Sequence, residues 1–159
     1  MPRLDDIDAL YRSHGPAVLR RARRILGNEA EAQEVLHDVF TSLLARPEQF
    51  AGLSSPMTFL YRVTTNRALQ RIRTRENRSR LLQTRHRAAE SSSTDPEAHA
   101  RLMELLRSLP EDLARIVVYY YVDGMTQREV AEIMGCSRQW IDKQLQVLRR
   151  QGDPEGKSC

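Results

Sequence analysis

The sequence predicts an all-α protein built from two small helical domains that are joined by a flexible linker, with a helix-turn-helix in the second domain. Apolar residues recur at steps of three and four along most of the chain, whereas no stretch alternates apolar and polar residues as a half-buried strand does. A polar segment rich in serine and threonine separates the two periodic regions. These observations place the first domain at 1–75, the linker at 76–96, the second domain at 97–151 and a disordered tail at 152–159.

Three helices are predicted in the first domain. The first ends at Gly27, since glycine readily adopts the left-handed conformation that closes a helix. The second begins at Asn28, which starts a capping box, and ends before Pro47. The third opens with Ser55 as its N-cap and Pro56 in its first turn. The inward stripes are Leu10, Tyr11, Val18, Ala22, Ile25 and Leu26 in the first helix, Ala32, Val35, Leu36, Val39, Phe40, Leu43 and Leu44 in the second, and Leu60, Thr64, Ala68 and Ile72 in the third.

Four helices are predicted in the second domain. The pair Asp95–Pro96 supplies a cap and a first-turn proline, and Pro110 separates this helix from the next. Thr126 begins a capping box, Gly135 ends that helix, and Ser137 caps the last one. The inward stripes are Leu102, Leu105, Leu106 and Leu109, then Leu113, Ile116, Val117 and Tyr120, then Val130, Ile133 and Met134, and finally Ile141, Leu145 and Leu148.

The composition is that of a folded protein, with 40% hydrophobic and 29% charged residues. The longest apolar run, Ile116 to Val122, is far shorter than the roughly 20 residues that cross a bilayer, and the N-terminus lacks a signal-peptide core. We therefore expect a cytoplasmic protein that does not insert into a membrane. Cys136 and Cys159 are the only cysteines, which predicts unpaired thiols, no metal site and no cofactor.

Residues 126–150 have the spacing of a helix-turn-helix, in which the second helix enters the major groove of DNA. The start of that helix carries arginine, glutamine and lysine side chains that can bind base edges, namely Arg138, Gln139, Lys143 and Gln144. The alternative is an ordinary αα-hairpin with a polar exposed face. Trp140 either contacts DNA or packs beside Ile141.

Charge is distributed unevenly, although the net charge is only +4. The stretch from Arg62 to Arg87 holds nine arginines and one acid, Glu76, and it follows the aromatic residues Phe59 and Tyr61. Such a surface can bind phosphates and stack on unpaired bases, but it is equally consistent with a solvated face, and core packing is the alternative for either aromatic ring.

An acidic face is predicted on the second helix, opposite its apolar stripe, formed by Glu31, Glu34, His37 and Asp38. Negative charge does not favour DNA; it suits either a basic protein surface or solvent. No other histidine stands at metal-ligand spacing from His37, which argues against a zinc site.

These segments together resemble the extracytoplasmic-function sigma factors. The resemblance is carried by residues 10–27, 31–40 and 59–69, then by Leu109–Pro110 and the helix-turn-helix, and it covers nearly all of the chain except the linker and tail. It implies a non-enzymatic subunit that binds core RNA polymerase, directs it to specific promoters and assists promoter opening in a stress response. It also implies an anti-sigma factor as a partner.

The resemblance assigns a role to each candidate residue. Glu31, Glu34, His37 and Asp38 would bind the polymerase. Ser54, Ser55, Phe59, Tyr61, Arg62, Asn66, Arg67 and Arg71 would bind the minus-ten promoter element. Thr126, Gln127, Arg128, Ser137, Arg138, Gln139, Lys143 and Gln144 would bind the minus-thirty-five element. The chain departs from the family pattern in having His37 for glutamine, Phe59 for a frequent tryptophan, and Asp142 and Val147 where basic residues are common.

Three other functions compete with this interpretation. A stand-alone helix-turn-helix repressor or activator would bind duplex DNA as a dimer without polymerase. A helical interaction protein, such as an inactive decoy, would bind polymerase but give no transcript. An enzyme is the weakest alternative, because the sequence contains no glycine-rich phosphate loop, nucleophile elbow or metal-ligand cluster.

Overall fold

The computed structural model describes residues 4–50, 55–82 and 95–152, with side chains described to residue 74 in the second range. Within these ranges the chain forms helices and no β-strand, which confirms the all-α prediction. The helices are α1 (Leu4–Leu26), α2 (Glu29–Ala45), a 3-10 turn (Pro47–Phe50), α3 (Pro56–Leu82), α4 (Pro96–Ser108), α5 (Glu111–Val117), a π-helical turn (Val118–Val122), α6 (Gln127–Met134) and α7 (Arg138–Gly152).

The chain divides into two compact units, 1–107 and 108–159. Helices α1 to α4 belong to the first unit, and the helix-turn-helix belongs to the second. The domain boundaries drawn from the sequence assign α4 to the second domain and end the first at residue 75, whereas α3 continues to Leu82. Those boundaries stay predictions. Most of the predicted linker and all of the tail beyond Gly152 lie outside the described residues.

The core of the first unit lies between α1, α2 and α3. The predicted inward residues of α3 are all buried, from Leu60 and Thr64 to Ala68 and Ile72. Tyr11 was predicted to lie inside as well, but it is 47% exposed. Its ring lies at the rim of the core and meets the ring of Phe40 edge-on, with centroids 5.0 Å apart.

The ends of the helices follow the predicted signals. Gly27 has φ 64° and its N–H donates to the carbonyl of Arg23 at 2.7 Å, so it closes α1 in the left-handed conformation. Asn28 caps α2, because its side-chain oxygen accepts from the N–H of Glu31 at 3.0 Å. Asp95 caps α4 by accepting from two N–H groups of the first turn.

The second unit contains a departure from α-helical geometry. After α5 the chain forms a π-helical turn, in which the N–H of Asp123 donates to the carbonyl of Val118, five residues earlier, at 2.9 Å. Tyr119 is consequently fully buried, whereas Tyr120 is half-buried. The prediction that Tyr120 continues the inward stripe is therefore wrong, because the wider turn changes which residue faces the core.

The helix-turn-helix forms as predicted. Thr126 accepts from the N–H of Glu129, and the Glu129 carboxylate accepts from the N–H of Thr126 at 2.7 Å, which completes the capping box of α6. Gly135 then turns the chain with φ 69°. Ile141 and Leu145 of α7 are fully buried against this turn and the preceding helices.

Replacing Thr126 with alanine should destabilise the second unit by about 1 kcal/mol, because the side-chain half of the capping box is lost. Urea unfolding followed by the fluorescence of Trp140, the only tryptophan in the chain, measures this change in the unit that contains α6. Thr126→Ser keeps the hydroxyl and is the matched control. Equal stability of the alanine and serine variants would show that the cap contributes nothing.

Candidate nucleic-acid interface

The acidic face of α2 is accessible, as its sequence predicts. Glu34 and His37 are exposed, while Glu31 and Asp38 are half-buried. The buried residues of α2, such as Val35 and Val39, lie on its other side. The structure therefore brings the four predicted polymerase-binding residues to one side of the helix.

Arg71 of α3 connects this face to the basic helix. One guanidinium nitrogen pairs with the carboxylate of Glu34, and another lies 3.3 Å from Asp38 Oδ2. The Arg71 side chain is 30% exposed, so the pairs lie at the surface of the interface between α2 and α3. No pattern in the sequence predicts this contact between Arg71, which was assigned to DNA, and the acidic residues assigned to the polymerase. The assignment of Arg71 to DNA stays a prediction.

Several predicted minus-ten residues of α3 are partly accessible. Tyr61, Arg62, Asn66 and Arg67 are all half-buried, and the half-buried Ser55 immediately precedes the helix. The predicted minus-ten residue Ser54 lies outside the described residues. Four of the predicted side chains thus start within the first four turns of one helix.

Phe59 occupies a different position from its neighbours. It is 5% exposed, and its ring meets the ring of Phe50 edge-on with centroids 5.5 Å apart. Of the two alternatives for this residue, its burial favours core packing, and its contact with DNA stays an untested prediction.

A residue that the sequence analysis did not single out contacts Tyr61. Arg21 of α1 is 7% exposed, its Nε donates to Thr65 Oγ1 at 2.9 Å, and its guanidinium carbon lies 3.4 Å from the centroid of the Tyr61 ring. The signal was present in the sequence, because a helical step from Val18 to Ala22 and Ile25 also turns residue 21 inward.

In the helix-turn-helix, the start of α7 is accessible. Arg138, Gln139 and Lys143 are exposed and Gln144 is half-buried. The other predicted residues comprise the exposed Thr126, Arg128 and Ser137 and the half-buried Gln127. The predicted group therefore lies at the start of α6, at Ser137 and along the first half of α7.

Hydrogen bonds across the turn fix part of this surface. Arg138 donates to the side-chain oxygen of Gln127 at 3.2 Å, and the Gln127 amide lies 3.4 Å from Asp142 Oδ1. Asp142 also accepts from Gln146 at 2.9 Å. The carboxylate at position 142, where the family pattern favours a basic residue, thus accepts hydrogen bonds from two neighbouring glutamine side chains.

Trp140 is half-buried and lines an open cleft of about 410 Å³ with Cys136 and Asp112. Cys136 is a free thiol, and its burial, with a contribution from the negative charge of Asp112, raises the pKa of the thiol above its ordinary value. The raised pKa favours the neutral thiol form of the side chain at pH 7.

The described parts of the chain lack two structural features. No cluster of three or more histidine, cysteine or acidic side chains within them is arranged to hold a metal ion. No helix within them is both long enough and apolar enough to cross a membrane.

Two family models match the chain in order. Residues 10–78 match Sigma-70 region 2, and residues 99–151 match Sigma-70 region 4. The first match contains α2 and α3 as far as residue 78, and the second contains the helix-turn-helix.

Curated relatives and solved structures are similar over most of the chain. The ECF RNA polymerase sigma factor SigE of Mycolicibacterium smegmatis is 26% identical over 91% of this chain, which spans 59% of the length of that relative. The RNA polymerase sigma-H factor of Pseudomonas aeruginosa is 24% identical over 91% of this chain and 88% of its own length.

The solved structures establish the likeness in fold. The sigma factor RpoE in complex with the anti-sigma factor NepR from Bartonella quintana has a TM-score of 0.56 and 17% identity, covering 92% of this chain and 94% of its own. CnrH, in complex with the cytosolic domain of CnrY, has a TM-score of 0.51 and 22% identity, covering 92% and 84%.

Proposed function

The chain belongs to the extracytoplasmic-function group of the sigma-70 family, and from this membership we propose that it binds core RNA polymerase, directs it to specific promoters and assists their opening. The observation that carries the proposal is the ordered pair of matches to region 2 and region 4. In the described residues, the first match contains the acidic face on α2, and the second contains a helix-turn-helix with an accessible polar edge.

The proposed mechanism divides the work between these surfaces. The acidic face, with Glu34 at its centre, docks on a basic surface of the polymerase. Tyr61, Arg62, Asn66 and Arg67 hold the separated strand of the minus-ten element, because aromatic rings stack on unpaired bases and arginines neutralise phosphates. The start of α7 reads base edges in the minus-thirty-five element.

The chemistry required of the chain is binding, and we propose that it is not itself an enzyme. Capture of flipped bases costs about a few kcal/mol per unstacked base, which contacts with the protein offset. We also propose that the chain acts in the cytoplasm, where its polymerase and promoter DNA lie, and that an anti-sigma factor holds it inactive. A solved structure of similar fold, the sigma factor RpoE in complex with the anti-sigma factor NepR, supports this last proposal.

Run-off transcription with bacterial core polymerase, the purified protein and a fragment from upstream of its own gene tests the function. We expect a discrete transcript that requires the protein. Absence of a transcript, together with tight and salt-sensitive binding of the protein alone to the duplex, would favour the stand-alone regulator. Binding to polymerase without a transcript would favour the decoy.

A substitution at Arg71 distinguishes an effect of this residue on polymerase binding from a role in DNA binding. Because its charge lies between Glu34 and Asp38, Arg71→Gln should strengthen binding to core polymerase, by up to about fivefold, since exposed ion pairs are worth at most about 1 kcal/mol. Fluorescence titration of labelled protein with core polymerase measures the change.

The matched control is Arg12→Gln, which removes an arginine from an exposed pair with Asp8 on α1. Its affinity for core polymerase should stay that of the unmodified protein. If Arg71→Gln leaves core affinity unchanged and weakens promoter binding, Arg71 acts on DNA and not on the acidic face.

A further inference from the structure

Arg21 stands at a position that the packing of α1 reserves for apolar residues. Val18 and Ile25, which are three and four residues away, are buried in the core together with the adjacent Ala22, and Arg21 is buried with them at 7% exposure. Removing a guanidinium from water is unfavourable unless its hydrogen-bonding groups and charge find partners. An apolar side chain would fill this position at less cost, so the contacts of the guanidinium group indicate what the arginine contributes.

Two of those contacts connect Arg21 to Tyr61 of α3. The guanidinium carbon lies 3.4 Å from the centre of the Tyr61 ring, which is the distance of a stacked cation–π contact. Arg21 Nε donates to Thr65 Oγ1 at 2.9 Å, and Thr65 Oγ1 in turn donates to the backbone carbonyl of Tyr61 at 2.8 Å. Thr65 is fully buried. Both the ring and the backbone of Tyr61 are therefore connected to the same buried arginine.

Tyr61 itself is only half-buried, so part of its side chain stays accessible while the guanidinium covers one face of its ring. A ring that is held in place before binding loses less conformational entropy when a base stacks on it than a mobile ring does. We propose that Arg21 is a positioning residue for Tyr61, which it holds as a fixed stacking platform for an unpaired base of the opened promoter strand. The inference rests on the proposed function and adds a buried residue of α1 to it.

The test measures the coupling between the two residues. The holoenzyme, reconstituted from core polymerase and the full-length chain, is titrated with a fork-junction fragment from upstream of its own gene that is single-stranded across the minus-ten element. We expect Arg21→Met to weaken binding by about two- to thirtyfold, the range that runs from exposed to desolvated cation–π contacts. Tyr61→Ala should weaken it at least as much, whereas the double variant should bind like Tyr61→Ala alone.

Two further variants separate positioning from a general effect on folding. Arg21→Lys keeps the charge but loses the flat group that stacks on the ring, and it should fall between Arg21→Met and the unmodified chain. Tyr61→Phe keeps the ring and should bind normally. Each variant should bind core polymerase normally, because the acidic face of α2 includes neither Arg21 nor Tyr61. If Arg21→Met loses core binding, it is misfolded, and Arg21→Lys takes its place in the double-mutant cycle.

The outcomes distinguish the inference from the function on which it rests. If Arg21→Met weakens DNA binding as much in the Tyr61→Ala background as in the normal one, Arg21 does not act through Tyr61 and the inference is overturned. If Tyr61→Ala binds the fork junction normally, Tyr61 does not contact the base, and the inference fails with that assignment. Run-off transcription by the unmodified chain tests the sigma function independently of both results.

Discussion

Removing both carboxylates of the acidic face, in the variant Glu34→Ala, Asp38→Ala, is expected to weaken binding to core polymerase on the order of 100-fold. Both groups lie on one side of α2, where a basic surface of the polymerase would pair with them. The variant also leaves Arg71 without the two carboxylates that it contacts in the free protein. A positive charge then faces a positive partner, which adds repulsion to the lost attraction. The affinity is measured by titrating labelled protein with core polymerase at fixed salt.

The matched control is Asp5→Ala, Asp8→Ala, which removes the same charge from the exposed first turns of α1. This control should bind core polymerase within about twofold of the unmodified chain, because long-range charge effects are screened at physiological salt. Circular dichroism of both variants checks that the helices remain. A double Glu34→Ala, Asp38→Ala variant that joins core polymerase normally would falsify the assignment of the acidic face.

Replacing Arg138 with alanine is expected to lower the affinity of the holoenzyme for its promoter by about 5- to 150-fold, since a good side-chain contact with a base edge is worth about 1–3 kcal/mol. Arg138 is exposed at the start of α7, and its bond to Gln127 aligns it before DNA arrives. The loss should be confined to promoters with an intact minus-thirty-five element and should disappear when the bases of that element are changed.

Arg149→Ala is the matched control, because Arg149 is exposed in the last turn of the same helix, about three turns from Arg138. Removal of a phosphate contact would weaken binding to all promoters alike and reduce its salt dependence. If Arg138→Ala behaves in this way, Arg138 contacts the backbone and does not read sequence.

The helices and their ends were predictable because their signals are local. Gly27, Asn28, Asp95 and Thr126 each determine a helix end through contacts within a few residues, and the structure confirms all four. The same holds for the inward stripe of α3, since a helix of regular period turns equivalent positions to the same side.

The contacts between helices could not be predicted in this way. Arg21 and Tyr61 are brought together by the packing of α1 against α3, and Arg71 meets Glu34 by the packing of α2 against α3. Charged residues in a sequence are ordinarily assigned to solvent or to an external partner, so that partners within the chain go unnoticed. Tyr120 was misassigned for another reason, because the prediction assumed an α-helical period through a segment that is π-helical.

Because of that π-helical segment, the number of residues between Val118 and Val122 determines how the helices of the second unit pack together. A π turn holds one residue more than an α-helical turn, and each residue of an α-helix corresponds to a rotation of about 100°. Deleting one residue between Val118 and Val122 would restore the α-helical period and turn α5 by that angle relative to α6 and α7. Leu113 and Ile116 would then leave the core. Replacing a residue of this segment with one of similar size should be tolerated, whereas deleting a single residue should not. Gaps in an alignment of relatives should therefore avoid this segment.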